Sequence, residues 1–268
     1  MSAHPFDAAL ALTPDPVARH TFTGAIDPSW QQGRTTFGGL TAALMARAVS
    51  RVVDDERRVL RTAHLHFVAP APPGLFVVEV APIRAGALVS HLSATLSQGG
   101  APVAFGTFTC AAPREGTLSY DALARAPDAA PFAQIDPVEL GPPVAPVFTQ
   151  HFEYRFAFGE LPFSGAERAA LGGYIRARPP RVLDAALAMA FLDAWPPAAL
   201  ARSDGLRAAA SVDMRVEFFG SPLVDAETPG FVTCASGVAR EGYADEEARL
   251  FVDGALVARC HQLVALLS

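Results

Sequence analysis

The chain has 268 residues, 51% hydrophobic and 18% charged, and its 21 basic against 27 acidic residues leave a formal net charge of −6. No apolar run reaches the roughly 18 residues that a membrane-spanning helix needs, and a net negative chain is a poor partner for nucleic acid. Every basic residue is arginine, and neither lysine nor asparagine occurs, which excludes Schiff-base chemistry, a P-loop lysine and a Cys-His-Asn triad.

At the N-terminus, MSAHPFDAALALTPDP lacks a basic segment and is broken by proline, so no signal peptide is expected. The stretch 37–53, FGGLTAALMARAVSRVV, predicts a helix opened by Gly38-Gly39, with Leu40, Ala43, Leu44 and Arg47 at helical spacing. Residues 59–70 predict a strand stopped by proline. Strands are predicted next over 75–84, 87–98 and 101–112, with a Gly-Gly turn between the last two. From 113 to 147, seven prolines mark a long connector pinned to the surface. Beyond it, 148–158 and 172–179 read as strands, 182–195 (VLDAALAMAFLDAW) as a helix, and 208–219 and 230–242 as strands. EARLFV and ALVARCHQLVALL close the chain as a pair joined at Asp253-Gly254, a tight-turn dipeptide.

The two blocks share one order: helix, strand stopped by proline, strand, strand, tight turn, strand. They also align residue by residue. TAALMARAV (41–49) lies on DAALAMAFL (184–192), HLHFVAP on RVEFFGSP with Phe67 opposite Phe218, and SQGGAPVAF on FVDGALVAR. This is a two-fold internal repeat. It predicts an α+β chain of two tandem units, each an antiparallel sheet wrapped around one apolar helix. The first unit is 1–112, the connector 113–147 and the second unit 148–268.

Asp193 stands out. It ends an otherwise apolar helix, where the negative end of the macrodipole disfavours an acid. Asp184, nine residues earlier, reads as the cap of the helix start. Ser211 and Gln262 are polar residues in apolar strands, and a buried amide needs partners. Asp213 is a rival carboxylate, because residues two apart on a strand share a face with each other, here with Ser211; otherwise it is a surface partner for an arginine. His64 and His66 also share a face, but no third metal ligand is apparent, so no metal is expected. His261 points away from its neighbour Gln262. Cys110, Cys234 and Cys260 are odd in number and widely spaced, as buried free thiols in a reducing cytoplasm would be.

FGGLTAALMARAV, LHFVAP and GGAPVAFGTFTCAAP in the first block resemble the amino-terminal half of the acyl-CoA thioesterase II family. DAWPPA, ASVDMRVEFF and GALVARCHQLV in the second resemble its carboxy-terminal half. The resemblance covers most of the chain outside the first 15 or so residues and the connector. It implies a double hotdog fold and hydrolysis of an acyl-CoA thioester by an activated water, with no cofactor. A helix Asp, a strand Thr or Ser and a Gln on the last strand hold that water in the family, and the matching positions are Asp193, Ser211 and Gln262. Serine replaces the commoner threonine and keeps its hydroxyl. Ala69-Pro70 stands where the family often has Arg-Pro, which alters contact with the CoA end or with another subunit.

The chemistry is consistent with these residue types. An Asp in apolar surroundings has a raised pKa and is a stronger base once ionised. Gly38 and Gly39 offer helix N-terminal amides for an oxyanion. Arg61, Arg84 and Arg215 are candidates for the CoA phosphates, and Met189, Phe191 and Trp195 for the acyl groove. Laying one half on the other puts Ser50 opposite Asp193, Leu60 opposite Ser211 and Phe108 opposite Gln262, so one active centre per chain is expected. Partners are expected to be acyl-CoA and further copies of the chain in a homo-oligomer, without nucleic acid or membrane. The alternatives are a non-catalytic acyl-CoA- or lipid-binding protein and a hotdog enoyl-CoA hydratase; the latter typically pairs its Asp with a His.

Overall fold

Both predicted helices form, and each is enclosed by strands from its own half of the chain. The computed structural model describes residues 3–114, 116, 118–121, 125–220 and 222–267. The first half runs α1 (Pro5–Ala9), β1 (Thr13–Pro14), β2 (Thr21–Ile26), β3 (Gln31–Gln32), β4 (Thr35–Thr36), α2 (Gly38–Val53), β5 (Val59–Phe67), β6 (Gly74–Ala85), β7 (Val89–Gln98) and β8 (Ala101–Ala111). The second runs β9 (Phe152–Gly159), β10 (Ala170–Ala177), α3 (Ala185–Asp193), β11 (Ala208–Ser211), β12 (Asp213–Phe218), β13 (Gly230–Ala235), β14 (Ala239–Arg240), β15 (Tyr243–Val252) and β16 (Ala255–Leu267).

Apart from the small β3–β4 pair, the described strands join one antiparallel sheet. Its order is β1-β2-β6-β7-β8-β5-β12-β16-β15-β13-β10-β9, with β11 on β16 and β14 on β15. The run β2-β6-β7-β8-β5 is repeated by β10-β13-β15-β16-β12, and the two runs meet at β5 and β12. There His64 lies opposite Arg215, the two residues that the sequence repeat superimposes. The seam is therefore a local two-fold axis, and the fold is a double hotdog. The turns repeat as well. Gly99-Gly100 and Asp253-Gly254 all have positive φ, between 49° and 82°, as a two-residue hairpin turn twisted with its strands requires.

The sheet wraps α2 and α3, which pack against each other in opposite directions. The first turn of α2 meets the last turn of α3, and Arg47, farther along α2, reaches Asp184 at the start of α3 at 3.4 Å. Residues Ala186 to Leu192 of α3 are all buried, which explains a helix apolar on every side. Asp184 caps it by accepting the Leu187 N–H at 2.9 Å.

Some expectations change. The short β2 opens the first unit, and its TFTGAI sequence has too few β-branched apolar residues to announce a strand. The strand expected over 148–158 begins only at Phe152, after a 3-10 turn over Val147–His151. The strand expected over 208–219 breaks at Val212. Ser211 faces Val264 but Arg215 faces His261, so Val212 is an extra residue, a β-bulge. In β5 the register shifts likewise between Leu60 and Thr62, so the bulge is part of the repeat.

Within 113–147, positions 115, 117 and 122–124 lie outside the described residues. Of the described remainder, Phe132 and Ile135 are held by Arg155, whose guanidinium donates to their carbonyls at 2.7 Å each, and Val138 bridges to Tyr154 on β9. The three cysteines are free and buried. Among the described residues, no helix is long and apolar enough to cross a membrane.

Candidate active site

Asp193, Ser211 and Gln262 lie far apart in sequence and meet in one hydrogen-bonded cluster. Asp193 is the last residue of α3, before Pro196-Pro197 turn the chain. Ser211 ends β11, and Gln262 lies on β16. The Gln262 amide Nε2 donates to Asp193 Oδ1 at 2.9 Å. The Ser211 hydroxyl lies 2.7 Å from Gln262 Oε1 and 3.3 Å from Asp193 Oδ1. The bulge at Val212 makes this possible, because it turns Ser211 inward while β12 keeps Met214 and Val216 in the core. It also puts Asp213 on the other face, where its Oδ1 accepts the Leu263 N–H at 2.9 Å. The expectation that Ser211 and Asp213 share a face fails for that reason, and Asp213 stands outside the cluster.

Two helix ends meet at Asp193. Its own α3 presents a negative end, which repels a carboxylate, whereas the N-terminus of α2 presents a positive one. A Cβ on Gly38 would stand 2.9 Å from Asp193 Oδ2, and one on Gly39 would stand 3.0 Å from Ala190 Cα and 2.4 Å from the Phe37 ring. Glycine is needed at both positions for the helices to come this close. The Gly39 amide at this helix start favours the ionised form of the carboxylate. Burial works against ionisation and wins. It lifts Asp193 from the usual 3.8 to about 6, against the lowering effect of Gln262, the Gly39 amide and Ser211.

The cluster borders a cavity of about 30 Å³ lined by Gln32, Asp193, Trp195, Ser211, Cys234, Glu246 and Gln262 among others. A water needs roughly 10–15 Å³ by this measure, so the cavity suits a water and is too small for an acyl chain. Of the residues expected to form the groove, Trp195 lines it. Met189 and Phe191 are buried core, with Phe191 edge-on to Phe152.

Glu246 and Gln32 line the cavity too, and no sequence motif singles them out. Glu246 pairs across the strands with Gln262, and both its oxygens accept the Ala198 N–H, at 3.1 and 3.0 Å. Burial raises its carboxyl from 4.5 to about 8, so it is mostly protonated at neutral pH. Burial, with Glu246 beside it, also pushes the Cys234 thiol well above its usual value. The Trp195 indole N–H is buried and has no protein partner among the described residues.

The equivalent place in the first half differs. Ser50 bonds back to the Ala46 carbonyl of its own helix at 3.0 Å, while Leu60 and Phe108 are buried apolar residues. Among the candidate arginines, Arg215 lies on the outer face of β12, paired with Glu217. Arg84 borders a separate cavity of about 380 Å³ with His91 and Arg114. No histidine is among the residues lining the Asp193 cavity.

Residues 26–111 match the family model of the acyl-CoA thioesterase N-terminal domain, and residues 121–266 match that of the acyl-CoA thioesterase C-terminal domain. No curated protein sequence matches significantly. Among solved structures, the chain is similar to a conserved protein of unknown function with a hot dog fold from Alicyclobacillus acidocaldarius. That match has 26% identity and a TM-score of 0.87 over 100% of this chain and 99% of the other. The tesB protein of Mycobacterium avium subs paratuberculosis matches at 21% identity and a TM-score of 0.79 over 98% of each chain. The acyl-CoA thioesterase II TesB2 of Mycobacterium marinum matches at 19% identity and a TM-score of 0.75 over 97% of each.

Proposed function

Because the chain belongs to the acyl-CoA thioesterase family, matched in both halves, we propose that it hydrolyses acyl-CoA to free acid and CoA with a directly activated water. Asp193 is the general base, and Ser211 and Gln262 position the water beside it. The water oxygen adds to the thioester carbonyl as its proton passes to Asp193. The oxyanion is met by the first turn of α2, where the amides have no intrahelical acceptor. The Gly39 amide serves Asp193 in this reading, which leaves the Gly38 amide as the donor. The C–S bond then breaks, and the proton returns from Asp193 to the sulfur. The products are a carboxylic acid and a thiol.

One observation carries this reading: a serine and a glutamine converge on one oxygen of a buried Asp at a cavity that suits a water. Attack by water rather than by cysteine is supported by the raised Cys234 thiol, which is not a thiolate at neutral pH. The lack of a histidine lining the cavity favours hydrolysis over a hydratase. Residues 1–112 and 148–268 act as the two units, with 113–147 as their connector. Buried free thiols support a reducing, cytoplasmic setting. Homo-oligomers, which sedimentation can test, would use a free sheet edge such as β1; at β9 the connector already pairs Val138 with Tyr154.

Thiol release from acyl-CoA esters of increasing chain length, by wild type and Asp193→Asn, tests the activity. Release by wild type that falls by about 10²–10⁴ in the variant is expected. Saturable binding without release would mean a binding protein.

A further inference from the structure

We propose that His64, His66 and Asp213 form a site for one divalent transition-metal ion of the zinc class, on the outer face of the sheet at the seam between the halves. His64 and His66 alternate along β5 with Ala63 and Leu65, which are fully buried, so both imidazoles point outward. Asp213 lies directly opposite His66 on β12. It faces outward because the bulge at Val212 separates it from the inward Ser211. The third ligand is thus supplied by the other half of the chain, which the spacing of the two histidines alone does not reveal.

The ligand atoms of the three residues lie within 4.8 Å of one another. Tetrahedral zinc with bonds of about 2.0–2.1 Å places its ligands about 3.3 Å apart, so small side-chain rotations close the site. The groups are already oriented. The Leu263 N–H bond fixes the Asp213 carboxylate. The His66 ring stacks on Phe105 with centroids 4.9 Å apart, and the two imidazoles are 4.7 Å apart. No ring nitrogen of His64 or His66 has a hydrogen-bond partner among the described residues, which leaves both for a metal. The neighbouring cation, Arg215, is paired with Glu217, which also holds Arg259.

Two imidazoles and a carboxylate suit zinc or a neighbouring first-row ion better than calcium or magnesium, which take oxygen ligands. His64 is exposed, so water completes the shell. By the repeat, Thr62 and Glu217 stand where a mirror site would need Asp213 and His66, so the seam holds one ion per chain. The site faces away from Asp193. Its effect is to tie β5 of the first half to β12 of the second.

The test is titration of EDTA-treated full-length protein with zinc by calorimetry, with cobalt(II) absorption as the report on ligand type. Variants are His64→Ala, His66→Ala, their double variant, and Asp213→Ala, each checked for folding by circular dichroism. One zinc per chain is expected, with affinity at least tenfold weaker in each single variant. Cobalt should give bands of nitrogen and oxygen ligation, and zinc should raise the melting temperature of wild type but not of the double variant. No binding at millimolar zinc, unchanged affinity in the folded double variant, or a cobalt-thiolate band would overturn the proposal. The histidine variants keep the test decisive even if Asp213→Ala loosens the Leu263 contact.

Discussion

Asp193 sits at the end of an apolar helix because a second helix offers its N-terminal amides there and two strands offer an amide and a hydroxyl. Burial keeps its pKa near 6, so it is ionised at neutral pH yet more basic than an exposed carboxylate. The rate should fall as pH drops below about 6, where the base becomes protonated. Ser211→Ala should lower kcat about 10–100-fold, while Ser211→Thr, which keeps the hydroxyl, should restore most of it. Steady-state kinetics on one acyl-CoA ester would check both. Glu246 makes a separate prediction through stability. Its folded pKa, about 8, exceeds the usual 4.5, so the folded chain holds a proton that the unfolded chain loses between these values. Stability from this group is complete below about 4.5 and declines as pH rises to about 8. Glu246→Gln keeps an acceptor for Ala198 without the proton, so urea melts across that window should lose this decline. An unchanged slope would remove Glu246 from the account. Glu246 was illegible in the sequence because it lies in ADEEAR, which reads as a charged surface. Only its register opposite Gln262 and the Ala198 turn above it bury it.

Among the elements, the bulge and the helix junction decide the site. Strand alternation alone put Ser211 and Asp213 on one face; an extra residue at Val212 separates them, and no residue type there announces it. The bulge sends the serine to Asp193 and the aspartate to the histidines of β5. The α2–α3 junction was half legible: Gly38-Gly39 marked a helix start, but not that it would abut Asp193. Gly39→Ala puts a methyl against the Phe37 ring and the α3 backbone. It should destabilise the fold by about 1–3 kcal/mol and lower activity by shifting the Asp193 carboxylate. Thermal melting and kinetics on the same preparation would check this; wild-type values for both would mean that the helices need not approach so closely. The missed β2 has a plain cause. It is a short strand near the sheet edge, and its pairing partner rather than its composition defines it.

For the molecule as a whole, the duplication is the feature most legible in sequence, since the order of elements and the aligned residues both carry it. The structure adds that the repeat includes the bulge and the seam. It also shows that the second half alone keeps the polar cluster. A thioether analogue of acyl-CoA, which cannot be hydrolysed, should therefore bind once per chain by calorimetry, whatever the oligomer. Two equal sites per chain would contradict the asymmetry between Asp193, Ser211, Gln262 and Ser50, Leu60, Phe108.

The most direct test of the central claim is the pH profile of kcat/KM for thiol release, measured for wild type and Asp193→Asn on one acyl-CoA ester. Wild type should rise about tenfold per pH unit to a plateau above about 6. The variant should lie about 10²–10⁴ lower at the plateau and lack that inflection. Equal rates in the two proteins, with the same inflection, would mean that another group takes the proton from the water.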